Sequence, residues 1–258
     1  MSAPLLQVRG VSKHFAGVRA VDGVDFSINA GEIVALIGPN GAGKSTLFGV
    51  VAGQHRATAG TVLFDGRALA GRDPAALARA GIGRTFQTAQ TWGTLTVLQN
   101  VQLALSAAAG RVFDPFTPLD DIEAGPAHAL LSRVGLAERA ALAAAALPYP
   151  DSKRLELAIA LASAPRLLLM DEPTAGMAAA ERMALMDLVR SLLAESATGA
   201  HPLTVLFTEH SMDVVFGYAQ RVLVMARGQL IADGTPAAVR ADPAAQAAYF
   251  GEPPEGVL

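Results

Sequence analysis

Cysteine is absent from the 258 residues. That excludes disulfides and thiolate metal centres, and it fits a chain of the cytosol. Charge is scarce: Asp, Glu, Lys and Arg make up 17%, and the net charge is −3. So small an excess gives no electrostatic reason to expect nucleic acid as a partner. Long apolar runs are missing too. The longest charge-free run, "FQTAQTWGTLTVLQNVQLALSAAAG" from Phe86, is studded with Gln, Thr and Asn. A membrane span needs about 20 mostly apolar residues, so none is expected. The opening "MSAPLLQVRGVSKHF" has no apolar h-region, so no secretory signal is expected. No internal repeat is visible.

What is present is apolar. Hydrophobic residues make up 52%, enough for a well-buried core in one large domain or two small ones. The mean hydropathy is +0.36. Apolar surface covered by a partner accounts for that value, and so does a high alanine content.

The first third reads as strands and turns. "LLQVRGVSKHF" and "VDGVDFSIN" intersperse apolar and polar residues between Gly, Asn and Asp. "EIVALIG", from Glu32, is a continuous apolar run, the pattern of a strand buried on both faces. A Gly-rich loop follows, then "TLFGVVAG" as helix and "GTVLFDGRAL" as strand and turn. From about Thr96 to Ala146 the pattern is helical, broken by the Pro- and Asp-rich "RVFDPFTPLDD". Strand signals return in "RLLLMD", "LTVLFTEH" and "RVLVMARGQLIADG". The last holds a turn between two apolar runs, so a hairpin is expected. "AAAERMALMDLVRSLLAES" reads as a helix between the first two. Alternation of strand and helix argues for an α/β core with a mostly parallel sheet.

"GPNGAGKST" spans Gly38 to Thr46. It has the phosphate-loop spacing of a glycine, four residues, then Gly-Lys-Ser/Thr. Gly38, Gly41 and Gly43 let the backbone turn sharply and aim N–H groups at phosphate oxygens. Lys44 brings a positive charge to the β- and γ-phosphates, and Ser45 offers a hydroxyl to Mg²⁺. A helix start adds its positive dipole end. "LLLMDEP" sets two carboxylates at the end of a second apolar strand. Asp171 suits a Mg²⁺ or water ligand, and Glu172 suits polarisation of an attacking water. His210 ends a third apolar strand, where it can hydrogen-bond the γ-phosphate or the water. Gln87, in "RTFQ", carries an amide oxygen that can reach Mg²⁺ or water.

The order of these pieces resembles an ABC-type ATPase along nearly the whole chain. "AVDGVDFSINAGEIVALIGPNGAGKSTL", "GIGRTFQ", "MDEPTAGM" and "TEHSMDVVFGYAQRVLVMARGQLIADGTPAAVRADP" are most similar to the ATP-binding subunits of the branched-chain amino-acid uptake group. Systems for urea, amides and other small solutes are similar to it as well. The resemblance implies an α/β P-loop NTPase (RecA-like) core with an antiparallel β subdomain and a helical insert. It implies one domain over residues 1–258, with a core at about 1–87 and 160–258 and a helical subdomain at about 88–159. It also implies ATP and Mg²⁺ as cofactors. Phe15 would stack on adenine, and Gly38, Pro39, Asn40, Gly41, Ala42, Gly43, Lys44, Ser45 and Thr46 would hold the phosphates. Ser45, Gln87 and Asp171 would serve Mg²⁺, Glu172 would be the catalytic base, and His210 the switch histidine. Gln87 would link nucleotide to membrane subunits, and Trp92, the only tryptophan, would dock a permease helix; a buried core Trp is the other reading. The implied partners are a second ABC ATPase, permease subunits and, indirectly, a solute-binding protein. The implied place is peripheral, on the cytoplasmic face of the inner membrane.

One stretch departs from the family. Where the signature usually reads Leu-Ser-Gly-Gly-Gln or Leu-Ser/Pro-Tyr-Gly-x, this chain has Leu147-Pro148-Tyr149-Pro150-Asp151. Pro148 has no hydroxyl, and Pro150 has no N–H. The signature completes an ATP site on the opposite subunit, so that site is expected to be poor at hydrolysis. Asp151 adds repulsion unless it caps its own helix. Ala178 stands where Asn or Asp is usual, and Ser211 replaces a common Asp. These departures favour a heterodimer whose partner has a normal signature and completes the site of Lys44 and Glu172. A nucleotide-binding regulatory subunit with little hydrolysis is the alternative. No sustained heptads support a chromosome ATPase, and no Asn-Lys-x-Asp supports a small GTPase.

Overall fold

The computed structural model describes residues 3–69, 74–85, 91–110 and 124–250. The chain forms two compact units, residues 1–77 with 204–258, and residues 78–203.

The first unit opens with a hairpin of β1 (Leu6–Phe15) and β2 (Val18–Ile28). Its turn is Ala16-Gly17, with φ of 42° and 91°. Positive φ at both centres is the turn whose twist matches paired strands. β4 (Ala59–Phe64) pairs antiparallel with β1, and the two-residue β5 (Arg67–Ala68) follows across Asp65-Gly66, φ 50° and 72°. This antiparallel sheet has the order β2-β1-β4-β5.

The parallel core of the same unit is β3 (Ile33–Ile37), flanked by β8 (Thr204–Thr208) and β9 (Arg221–Ala226). All five residues of β3 and all five of β8 are buried, as strands covered on both faces require. β10 (Gln229–Gly234) closes the expected hairpin with β9 through Arg227-Gly228, φ 48° and 82°. Helices α1 (Lys44–Val51), α7 (Met212–Tyr218), α8 (Pro236–Ala241) and α9 (Pro243–Phe250) complete the unit. α2 (Pro74–Ala80) runs across the boundary between units.

The second unit carries β6 (Ile82–Thr85) parallel to β7 (Leu167–Asp171), with helices α3 (Val97–Ala108), α4 (Ala124–Arg133), α5 (Tyr149–Leu161) and α6 (Ala179–Ser196). α3 starts with a capping box: Thr96 Oγ1 accepts from Gln99 N–H at 3.1 Å, and Gln99 Oε1 accepts from Thr96 N–H at 3.0 Å.

The alanine-rich run after α4 corrects an expectation. Its pattern predicts helix to Ala146, yet α4 stops at Arg133 and Gly135 takes φ 74°. Two single 3₁₀ turns follow, Ala137–Arg139 and Ala144–Ala146. The backbone between them serves α3 instead. The carbonyls of Ala140 and Leu142 accept from Leu98 and Val97 N–H, at 2.9 and 2.8 Å. The first N–H groups of a helix have no partner within it, and here tertiary demand for them overrides alanine's helix propensity.

A charged clamp ties strands of the first unit together. Arg221 donates from Nε and Nη2 to both oxygens of Asp233, each at 2.6 Å, and from Nη1 to the Ser27 carbonyl at 2.8 Å. The bond to Asp233 holds this guanidinium above the ordinary arginine value, against the opposing pull of burial. Arg221→Ala should cost about 1–3 kcal/mol, the range for hydrogen bonds to charge. Urea unfolding followed by circular dichroism should show the midpoint lowered by about 0.5–1 M.

Candidate functional site

The phosphate loop springs from the buried end of β3. Gly38 has φ 155°, and a Cβ there would lie 2.2 Å from the Met225 carbonyl oxygen. Gly43 has φ 97°, and its Cβ would lie 2.1 Å from the Ala20 carbonyl oxygen. Both glycines are therefore fixed by close approach of backbone to backbone. Gly41, at φ 77°, meets no such neighbour within 4 Å. Ala42 N–H donates to Pro39 O at 3.1 Å, which closes the turn. Lys44 is the first residue of α1 and is buried. Its ammonium donates to the carbonyls of Gly38 and Pro39 at 2.6 and 3.0 Å, so the charge lies inside the curl of the loop. Ser45 and Asn40 are exposed, and Thr46 is half-buried. The loop thus offers one enclosed cation and one accessible hydroxyl, the pair a polyphosphate with a divalent cation needs.

Phe15 stands at the tip of the first hairpin with 42% of its surface exposed, which excludes a core role. Lys13 Nζ lies 4.7 Å from the ring centroid, and His55 meets the ring edge-on at 5.5 Å. Phe15 is an exposed ring in a cationic setting, able to take a flat π-system. His210 is exposed, two residues beyond β8. The Glu209 carboxylate accepts from His210 N–H at 3.1 Å, and Glu209 itself is 3% exposed. The sequence reading passed over Glu209, because nothing local distinguishes a buried acid from an exposed one.

In the second unit, Asp171 ends β7 and Glu172 follows. Arg84 of β6 reaches Asp171 at 3.5 Å. Burial pulls the Arg84 guanidinium below the ordinary arginine value, and the Asp171 carboxylate opposes that pull. Arg84 was also missed; it lies in the quoted "GIGRTFQ", but only parallel pairing of β6 with β7 brings it to Asp171. Glu172 has φ 47°. This left-handed conformation costs a non-glycine residue about 1–2 kcal/mol, and such strain concentrates at functional positions. Ala175 N–H secures it by donating to the Glu172 carbonyl at 3.1 Å. Gln87 lies outside the described residues. Ser45 in the first unit and Asp171 in the second each carry a hard oxygen donor, the type of ligand Mg²⁺ takes. Among the described residues no cluster of three or more His, Cys, Asp or Glu forms a cage for a metal ion.

The stretch from Leu147 is a helix entry. Pro148 is the N-cap of α5, with φ −57° and ψ 151° and no side-chain cap. Pro150 occupies the first turn, and the N–H groups of Asp151 and Ser152 both turn back to the Pro148 carbonyl at 3.0 Å. Three of the first four helix positions thus lack an N–H or aim it inward. Asp151 does not cap the helix, which corrects that expectation. It lies inside the first turn, where its carboxylate pairs with Arg139 and, at 3.9 Å, with Arg154. Its charge is therefore largely met within the unit. Tyr149 is exposed, and its hydroxyl donates to the Ala175 carbonyl at 2.9 Å. Ala178 takes the N-cap position of α6, where Asn or Asp would supply a side-chain acceptor. Only the reciprocal bond exists, from Ala178 N–H to Glu181 Oε2 at 2.9 Å. Ser211 precedes α7 without a side-chain cap. Trp92 is 49% exposed, so it is not a core residue. Its backbone is gripped by the buried Asn100 amide, at 2.8 and 3.1 Å.

Comparison with known proteins agrees. The family described as ABC transporter matches residues 21–175, and the branched-chain amino acid ATP-binding cassette transporter segment matches residues 229–255. The high-affinity branched-chain amino acid transport ATP-binding protein LivG of Escherichia coli K12 is 37% identical, covering 98% of this chain and all of that protein. BraF of Pseudomonas aeruginosa, of the same description, is 35% identical over 98% of this chain and all of its own length. An ATP-binding cassette of an ABC transporter solved in its ADP conformation superposes with a TM-score of 0.84 at 32% identity, covering 97% of this chain and all of that one. The chain belongs to the ABC transporter ATP-binding family, an ATPase family, and has the ABC ATPase fold.

The glycines supply a direct test of the loop. Gly43→Ala should lower ATP affinity more than about tenfold, because a backbone carbonyl must move to admit the methyl group. Gly41→Ala should stay within about fivefold of wild type, paying only for its positive φ. Titration calorimetry with ATP separates the two.

Proposed function

We propose that this ABC-family chain is the ATP-hydrolysing subunit of an importer for branched-chain amino acids. Relatives that bear that description over their whole length support the solute class, and so does the matched C-terminal segment. It works as a peripheral subunit on the cytoplasmic face of the inner membrane, beside permease subunits and, through them, a solute-binding protein. No helix among the described residues is long and apolar enough to cross a membrane, which suits that place. Exposed Trp92 and Leu142 supply apolar surface for a permease helix. The functional layout is a single domain with a core at about 1–87 and 160–258 and a helical subdomain at about 88–159. Every named strand lies outside 88–159, which supports it.

The chemistry follows from the residues. Phe15 takes the adenine face. Residues 38–46 cradle the phosphates, and Lys44 meets the β- and γ-oxygens. Ser45, Gln87 and Asp171 would hold Mg²⁺, which when bound neutralises charge on the β/γ oxygens. Glu172 polarises a water and accepts its proton as the water attacks the γ-phosphorus and the bond to the β,γ-bridging oxygen breaks. His210 steadies the γ-phosphate or the water. The observation that carries hydrolysis is Glu172, present directly after Asp171 and secured in a left-handed conformation.

The partner in the ATPase dimer is a second, different subunit. Pro148 and Pro150 leave the start of α5 short of donors for a facing nucleotide, and a lost donor to developing charge costs roughly 3 kcal/mol, about 10²-fold in rate. Pairing of Asp151 with Arg139 and Arg154 offsets the expected repulsion, so missing donors are the main defect of the signature. ATPase assays of the chain with the companion ATPase of the same transporter test this. Glu172→Gln should abolish most turnover while ATP still binds, and the companion's equivalent change should cost little. In the Glu172→Gln background, Pro150→Gly should raise the residual rate about tenfold or more. Turnover that survives Glu172→Gln but is lost on the companion's change sinks the assignment. ATP binding without turnover in every mixture replaces it with a nucleotide-binding regulatory subunit.

A further inference from the structure

Tyr149 is the place where the start of α5 grips the loop that follows Glu172. Its O–H donates to the Ala175 carbonyl at 2.9 Å. Its ring lies over Gly176, where a Cβ would come 3.7 Å from Cε1. Ala175 then donates its own N–H to the Glu172 carbonyl at 3.1 Å. Two hydrogen bonds in series therefore run from the phenol to the residue that holds a left-handed φ of 47°. Such a conformation persists only where surrounding contacts over-determine it. Outward along α5, the ring is flanked by the Lys153 ammonium, 5.9 Å from its centroid. Lys153 is buried and ion-paired with Glu156 at 3.2 Å, which makes a firm base for the tyrosine.

Cavity filling does not explain this side chain, because 44% of its surface is exposed. Its fixed element is the hydroxyl, aimed at one carbonyl. We propose that Tyr149 is a positioning residue for Glu172, acting through Ala175, and that it couples the two nucleotide sites of the dimer. The inference rests on Glu172 being the base. The start of α5 faces the companion's nucleotide in that reading, while Glu172 serves the chain's own. A displacement at Pro148–Pro150 is carried through one phenol to the backbone of the base. The bond also gives the proline-bearing signature a use that needs no N–H donors: Pro148 and Pro150 fix φ on either side of Tyr149 and so limit the backbone that presents it, while its hydroxyl bond fixes the ring.

The test uses the full chain with its companion ATPase, the companion's own base changed to Gln so that turnover reports Glu172. Tyr149→Phe removes the hydroxyl and keeps the ring. The expected result is a kcat lower by about fivefold, the rate equivalent of one neutral hydrogen bond. The KM for ATP should stay within about twofold, since binding shared by ground and transition states is untouched. Gly176→Ala strains the same loop from the other side and should lower kcat in the same manner. A Tyr149→Phe chain with wild-type kcat, while Glu172→Gln is inactive, overturns the positioning role and leaves the ATPase assignment standing. So does a KM that rises with no fall in kcat, because it places Tyr149 in uniform binding. Turnover that survives Glu172→Gln overturns the base and this inference together.

Discussion

Backbone packed directly on backbone is the constraint beneath the nucleotide site. Gly38 lies against the Met225 carbonyl and Gly43 against the Ala20 carbonyl, each too close for any side chain. The loop is thereby wedged between the last residues of β9 and the start of β2. Further bonds reinforce the wedge: Gly228 N–H donates to Ala42 O at 3.0 Å, and Asp22 N–H donates to Gly228 O at 2.9 Å. A loop that must present N–H groups to phosphate cannot rely on side chains for its own shape. It borrows rigidity from β3, whose five residues are all buried, and from the turn of the β9–β10 hairpin. Preorganisation of this kind removes the ordering cost that a mobile anion site would meet on binding.

The second unit handles charge differently. Asp171 has Arg84 beside it, and Asp151 has Arg139 and Arg154. In the first case a half-buried carboxylate is paired with a guanidinium at the place where the proposed site would take a divalent cation. In the second, an acid at a helix start is balanced from within the same unit. The two pairs have opposite consequences. In the proposed site a cation reaching Asp171 would have to share that carboxylate with Arg84. The arginines around Asp151 offset its charge from within the unit.

Much of this was legible in the sequence where the cause is local. A continuous apolar run bounded by glycine became β3, the Gly-Lys-Ser spacing became the loop, and "ARGQ" became a turn with two positive φ values. The missing donors at Pro148 and Pro150 followed from proline's chemistry alone. What escaped depends on distant pairing. Arg84 meets Asp171 only because β6 runs parallel to β7 in that register. The alanine run from Ala137 gave up helix because α3 needed its carbonyls. Asp151 reads as a cap or a source of repulsion until Arg139 is found beside it. Glu209 and Asn100 are polar residues whose burial no pattern in their own neighbourhoods announces.

The departures at the signature therefore form one consistent arrangement rather than scattered losses. Proline at two of three positions removes N–H donors from the start of α5 and also stiffens it. Asp151, turned to arginines, stays out of the way of a phosphate. Tyr149, held between the prolines, spends its hydroxyl on the loop behind Glu172. Ala178 removes one more acceptor at the start of α6, where the Glu181 carboxylate accepts from its N–H and Arg182 Nη1 donates to the preceding carbonyl. In the proposed dimer, Pro150 and Ala178 each reduce what the chain offers to a nucleotide bound by its partner. None touches Lys44, Ser45, Asp171, Glu172 or His210. Decay of function through relaxed constraint would strike both sets alike, since each depends on a few polar groups. Loss confined to the donor face, with its electrostatics kept balanced, supports the proposed pairing with a different ATPase subunit, in which the two ATP sites work unequally.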